Sequence, residues 1–217
     1  NLSMIDRNPC NVSKHLEFAE RAVRSLDRID RMVIDLLDIN RINAQEQIHI
    51  DIGECDIEKT IQEAVAELTI IHGSRFVVEA QPSIIGYWDC SSLRRVIENL
   101  ADNAVKYGAP LGSVTIQAIR MDARVFLKVH NYGEVILPAD QIALFDPFHR
   151  SKAAETSKAR GWGLGLALAR GITEAHRGII MVESVPSQGT TFTVDLPLDA
   201  RVADVPTPPG ATEPDKT

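Results

Sequence analysis

Apolar residues recur at alternating spacings of three and four in the first part of the chain, at Ala19, Ala22, Leu26, Ile29, Val33 and Leu36. That spacing predicts one long helix over 12–45 with the seam of a coiled coil or helical bundle. Arg21, Arg24, Asp27, Arg28, Asp30, Arg31 and Asp35 decorate its other faces, several as opposite charges three or four apart. Such a helix is marginal alone in water and needs a partner helix. The preceding NPCNVS, with Pro9 and Asn11, has the composition of a turn and cap. After Asn43 the period changes. IHIDI (48–52) alternates as a strand does. Asp56 is placed to cap a helix over IEKTIQEAVAELTII, with Ile57, Ile61, Ala64, Val65 and Leu68 at helical spacing. RFVVEA (75–80) and GYWD (86–89) read as strands, and Asp89 or Ser91 caps the next helix.

SVTIQAIRMD (113–122) and ARVFLKVHN (123–131) are β-rich runs, most simply a hairpin. An irregular stretch follows to about residue 161. GLGLALARGITEAH (163–176) reads as a helix entered through glycines, and GIIMVES (178–184) and GTTFTVDLP (189–197) as strands around VPSQ. The end, ARVADVPTPPGATEPDKT, has the composition of a disordered tail. The expected organisation is a helix over 1–46, a domain over 47–198 and a tail over 199–217. The fold class expected for the domain is α+β: a two-layer sandwich with a mixed, mostly antiparallel sheet and helices on one face.

Composition narrows the function classes. The 217 residues carry 44% hydrophobic and 24% charged side chains, and the net charge is −7. A net acidic chain lacks the basic surface that nonspecific nucleic-acid binding needs. Cys10, Cys55 and Cys90 are odd in number, scattered and without a CxxC pair. Neither a disulfide framework nor a zinc site is expected, and a reducing cytoplasm is the simplest compartment. No apolar run approaches the roughly 18 residues of a membrane span.

The chemistry concentrates in ENLADNAVKYG (98–108). Asn99, Asn103 and Lys106 fall at i, i+4 and i+7, on one helical face, while Leu93, Val96, Ile97, Leu100 and Ala104 form the apolar face. Asparagine is a poor helix former, so two on one face ask for a reason. An amide oxygen suits Mg²⁺, which keeps most of its waters and takes one or two protein oxygens plus substrate phosphates. A lysine one turn on meets phosphates as a point charge. The plain alternative is a solvated polar face. In GWGLGLALAR (161–170), Gly161, Gly163 and Gly165 precede or open a helix, where backbone N–H groups approach an anion. The spacing is neither the dinucleotide fingerprint nor a P-loop. SKAAETSKA (151–159), between Phe145 and Phe148 on one side and Gly161 on the other, has the composition of a mobile lid. Arg150, Lys152, Lys158 and Arg160 are its cations; an ordinary surface loop is the plain alternative.

N-L-x-x-N-A-x-K-Y, x-N-x-G, L-F-x-P-F-x-R, G-x-G-L-G-L-A-L-A-R and G-T-T-F-T-V-D-L-P follow one another in this order. Together they resemble the catalytic ATP-binding domain of sensor histidine kinases, a branch of the gyrase-like ATPase superfamily. MVIDLLDINRIN resembles the second helix of that family's dimerisation hairpin. The resemblance implies Asn103 as the Mg²⁺ ligand, and Asn99 where ATP-hydrolysing relatives carry a glutamate base. It implies Lys106 on phosphate, Tyr107 near the nucleotide, and Gly161, Gly163, Leu164 and Gly165 at the lid end and phosphates. Phe145 and Phe148 match the phenylalanine box, and Thr190 and Thr191 follow the final glycine, Gly189. Arg150 joins Asn99 and Lys106 among the expected catalytic residues. An amide at Asn99 cannot take a proton from water, so ATP would be reserved for a protein acceptor.

Two features depart from the family. VHNYGEVILP (129–138) places Asn131, Gly133 and Val135 where the family usually shows DxGxG. The Asn131 carbonyl can still accept the adenine amino proton, without charge assistance. None of His15, His49, His72, His130, His149 and His176 has the family's phosphoacceptor context of a following acid and nearby proline. The first hairpin helix, with the acceptor, is expected upstream of Asn1. The expected activity is transfer of the γ-phosphoryl of Mg·ATP to a histidine, relayed to a response-regulator aspartate, by a homodimer. The expected partners are a second copy through the N-terminal helix and a receiver domain. A degenerate kinase acting as scaffold, a hydrolysing ATPase and an anti-sigma-type serine kinase are the alternatives.

Overall fold

The structure, a computed structural model, describes residues 18–19, 21–23, 33–42, 44, 48–149 and 163–201. The expected cap at NPCNVS, the seam residues Leu26 and Ile29, His15, the lid over 151–159 and the tail from residue 202 lie outside the described residues. Residues 18–19, 21–23 and 33–42 are helical, and the last of these stretches is α1. It is followed by β1 (Gly53–Asp56), α2 (Ile57–His72), β2 (Phe76–Ala80), β3 (Ile85–Trp88), α3 (Cys90–Tyr107), β4 (Val114–Met121) and β5 (Arg124–Asn131). Then come α4 (Pro138–Ala143), α5 (Gly165–Ala175), β6 (Ile179–Val185) and β7 (Gly189–Pro197).

The main sheet has the order β2-β4-β5-β7-β6, and β1 pairs with β3 in a separate two-stranded ribbon. Only β2–β4 is parallel; β4–β5, β5–β7 and β6–β7 are antiparallel. Alternation sorts the faces. Val125, Leu127 and Val129 of β5 and Phe192, Val194 and Leu196 of β7 are buried with Ile61, Leu68, Leu93, Ile97, Leu100, Leu168 and Ile172 of the helices. This is the two-layer α+β sandwich with a mixed, mostly antiparallel sheet that the hydrophobic pattern predicts. Each fully buried leucine or isoleucine in that layer contributes about 1.5–3 kcal/mol of transfer free energy.

The helix starts follow the sequence chemistry. Asp56 caps α2, accepting from the N–H groups of Glu58 and Lys59. Asp89, not Ser91, caps α3, accepting from Ser91 and Ser92. One strand moves. The expected strand over 48–52 is not regular structure; its neighbour GECD forms β1 instead, antiparallel to β3. The partner decides this, because β3 lies opposite 53–56, whereas Ile48 is spent as a buried anchor.

The cysteine expectation is overturned. Cys55 on β1 and Cys90 at the start of α3 form a disulfide, with Cα atoms 5.6 Å apart. They lie 35 residues apart in sequence, and the β1–β3 pairing, which sets Cys55 opposite Gly86, brings them together. Helix α1 docks on the domain through its own narrow face. Ile39 is fully buried, and Asp35 and Asp38 pair with Arg95 of α3 at 2.8 and 2.9 Å. A Cβ on Gly171 of α5 would lie 2.4 Å from Ile42 Cδ1 and 2.9 Å from Ile48 Cδ1, so the two isoleucine tips pack directly on this glycine and would have to shift for a larger residue. The seam residues Val33 and Leu36, with Ile34 and Leu37, stay exposed.

Candidate functional site

Helix α3 carries the polar motif because its apolar face is fully used. Leu93, Val96, Ile97, Leu100 and Ala104 are buried against the sheet, as their spacing predicts. Asn99, Asn103 and Lys106 are left on the free side. Asn99 meets the start of α5: a Cβ on Gly165 would lie 2.8 Å from Asn99 Oδ1. Residue 165 therefore lets the glycine run sit directly on the first asparagine.

At its other end α3 meets the chain leaving β5. Gly108 and Gly133 form an antiparallel bridge, and the Ala109 N–H donates to Tyr132 O at 2.6 Å. A Cβ on Gly133 would stand 2.6 Å from Tyr107 O, so the close approach needs glycine. This contact brings Asn103, Lys106 and Tyr107 to the side of the domain that holds Asn131. Asn131, 5% exposed, ends β5 opposite Val114 and Thr190. Its Nδ2 donates to Tyr132 O at 3.3 Å, which orients the amide; among the described residues nothing donates to Oδ1. Thr190 is buried beside it and shares a 2.7 Å hydrogen bond with Ser184, whose Oγ accepts the Ile136 N–H at 3.0 Å.

The two threonines expected at the nucleotide lie on opposite faces of β7. Thr190 shares the inner face with Asn131, but Thr191 points to the outer face and bonds His130 Nδ1 at 3.0 Å. Successive strand residues face opposite sides, so only one can join the site. Phe145 is half-buried and meets Phe192 edge-on at 6.3 Å. Phe148 is exposed, with φ 63°, and its N–H donates to Gly163 O at 3.0 Å. Gly163, at φ 71°, has space for no Cβ: His149 O would be 2.9 Å away. Leu164 opens α5 without any side-chain cap, unlike Asp56 and Asp89 on α2 and α3. The first-turn N–H groups of α5 are thus not taken by a capping side chain, as suits a helix start that receives an anion. Close by, His149 Nδ1 is buried with no hydrogen-bond partner among the described residues. Arg150 and Gly161 lie outside the described residues.

The histidine kinase-, DNA gyrase B- and HSP90-like ATPase pattern matches residues 88–200, over half of the chain. The sensor-like histidine kinase SenX3 of Mycobacterium tuberculosis is 30% identical over 83% of this chain and 44% of its own length. The histidine protein kinase DivJ of Caulobacter vibrioides is 32% identical over 90% of this chain and 34% of its own. The chain belongs to this ATPase family, as a catalytic ATP-binding domain of the sensor histidine kinases. It spans less than half the length of these curated relatives. The solved structure of full-length ShkA in complex with AMPPNP superposes with a TM-score of 0.66 at 26% identity, over 85% of this chain and 39% of that one.

Three features of this ATPase domain were not read from sequence. Asp102 pairs with Lys106 Nζ at 3.6 Å and with His72 Nε2 at 2.7 Å, so the expected phosphate lysine is held by a carboxylate. Its position four residues before Lys106 was the available signal. The Gly108–Gly133 bridge had no local signal. The third is a polar hub at the other end of α3. Asp89 accepts from the N–H groups of Ser91, Ser92 and Asp51 and from both serine hydroxyls. Burial works against its charge, but these hydrogen bonds outweigh it and hold the carboxyl below its usual range. The Asp89 N–H in turn donates to Nε2 of the fully buried His176 at 2.9 Å, and His176 Nδ1 donates to Ile172 O at 2.8 Å. Burial lowers the His176 pKa and keeps the ring neutral, against the opposing effects of the Ile172 carbonyl and Asp89. His176 is therefore structural. Among the described residues no helix is long and apolar enough to cross a membrane.

Proposed function

We propose that this chain is the nucleotide-binding and phosphoryl-transferring part of a histidine kinase, on the cytoplasmic side of the cell. The γ-phosphoryl of ATP passes to a ring nitrogen of a histidine on a dimerisation helix and then to a receiver-domain aspartate. The observation that carries this reading is the convergence of one α3 face with the uncapped start of α5, marked by the Asn99–Gly165 approach. Neutral amide oxygens, one ammonium group and helix N–H groups that the N-cap side chain does not take are a donor set that fits a magnesium triphosphate. Asn103 would supply the oxygen ligand and Lys106 the phosphate contact. When bound, Mg²⁺ neutralises charge on the transferring phosphoryl. Asn99 cannot act as a base toward water, which disfavours hydrolysis. Asn131 Oδ1 would accept from the adenine amino group, with Tyr107, Gly133, Phe145, Phe148, Gly161, Gly163, Leu164, Gly165 and Thr190 around the nucleotide; Arg150 would meet phosphate. Thr191, on the outer face, drops from the set. The complex of ShkA with AMPPNP supports a nucleotide site in this fold. Exposed Val33, Ile34, Leu36 and Leu37 suit the homodimer seam that the helical pattern predicts.

Asn131 in place of an aspartate favours one second reading, a degenerate kinase that scaffolds a dimer without turnover. Calorimetric titration of the chain with ATP, with and without Mg²⁺ and beside Asn103→Ala, separates the two. Mg²⁺-dependent binding that Asn103→Ala weakens by about 10–100-fold, the worth of a lost charge-assisted contact, is the expected result. No binding at millimolar ATP would leave only the scaffold.

A further inference from the structure

We propose that Cys55 and Cys90 are a reversible redox modification site that ties the strand entering the domain to the helix carrying Asn99, Asn103 and Lys106. The pair is formed across two elements rather than within one. Cys55 lies on β1, directly after the segment from α1, and Cys90 is the first residue of α3. The two sulfurs differ in access. Cys55 is 2% exposed, whereas Cys90 is partly exposed and lines an open groove with Glu54, Asp56, Lys59, Arg94 and Arg95. Thr60 Oγ1, which donates to Asp56 O at 2.9 Å, lies 3.4 Å from Cys90 Sγ and 3.6 Å from Cys55 Sγ, and Thr60 lines the same groove. The more exposed sulfur is the one that a thiolate or disulfide from solution can reach. Cys90 is thus the attackable partner, and Cys55 the sheltered resolving one.

The reaction needs an oxidant, which is a low-molecular-weight disulfide. The Cys90 thiolate attacks one of its sulfurs and expels a thiolate. The Cys55 thiolate then attacks Sγ of Cys90 in the mixed disulfide and expels the second. Two protein thiols become one disulfide, and one small disulfide becomes two thiols. A thiol reductant runs the same steps backwards.

The bond is the covalent member of a set of ties between the α1–β1 segment and α3. The others are the Asp51 N–H on Asp89 Oδ2 at 3.1 Å and Arg95 on Asp35 and Asp38. Reduction leaves these and the β1–β3 pairing, so β1 stays formed but opens more often. Asn99 and Asn103 lie more than two turns down α3 from Cys90, so nucleotide affinity is unaffected by the redox state.

The test uses the full chain with Cys10→Ser, equilibrated with reduced and oxidised glutathione at varied ratios. Acid quenching, alkylation in denaturant and mass measurement count free thiols. The expected result is an all-or-none passage from two free thiols to none within that range. In Cys55→Ser the remaining Cys90 should form the mixed disulfide about tenfold faster than Cys55 does in Cys90→Ser. Hydrogen exchange at the β1 amides should be about tenfold slower in the oxidised chain. A pair that stays dithiol at every ratio, or β1 exchange equal in the two states, overturns the proposal. If either single variant does not fold, the titration and exchange of the Cys10→Ser chain decide alone.

Discussion

The two ends of α3 use polar groups in opposite ways. At its N-terminus every buried polar atom is spent within the protein: Asp89 accepts five hydrogen bonds, and both ring nitrogens of His176 are engaged. Toward its C-terminal half the polar groups are left open. Among the described residues Asn131 Oδ1 has no donor and His149 Nδ1 is buried unpaired, and α5 begins on a leucine with no side-chain cap. Buried polar groups are normally satisfied, so a saturated hub reads as structure and a cluster of open ones as a place for a ligand. Polarity alone does not mark a site; unspent polarity does.

The sharpest way to break this contrast is His176→Ala. It leaves the Asp89 N–H and Ile172 O without partners and opens a cavity, and should cost about 3–4 kcal/mol of stability by chemical denaturation. Nucleotide affinity of the folded chain should stay unchanged. A parallel fall in affinity would mean that the two ends are not separate. At the open end, Asp102→Asn removes an anion beside Lys106 and should tighten ATP binding about twofold, an exposed-pair effect that salt weakens. Looser binding would show instead that Asp102 holds Lys106 in its working position.

The smallest effect is in pH. The folded-state pKa of His176 lies below its ordinary 6.5. Between those values the unfolded chain binds more protons, so the ring's contribution to stability is complete above about pH 6.5 and fades as pH falls toward the folded pKa. Asp89, held below its ordinary 3.8, stays ionised through that window and loses its contribution only at lower pH. The denaturation midpoint should therefore fall from pH 7 to 5 by more in the natural chain than in His176→Ala. Equal falls would remove His176 as the cause.

Local chemistry was legible. The caps at Asp56 and Asp89, the buried face of α3, the β4–β5 hairpin and the shared face of Asn99, Asn103 and Lys106 each follow from periods of two or 3.6 residues and from short-range capping. Strand alternation alone would have separated Thr190 from Thr191. What only tertiary structure decided are contacts between residues far apart in the chain. These are the parallel β2–β4 pair, the place of β1, the Cys55–Cys90 bond, the docking of Ile42 on Gly171 and the His72–Asp102 contact. A residue's own neighbours set its helix or strand period. Which distant surface it meets depends on how sheet order and helix packing fill one core, and no local pattern carries that.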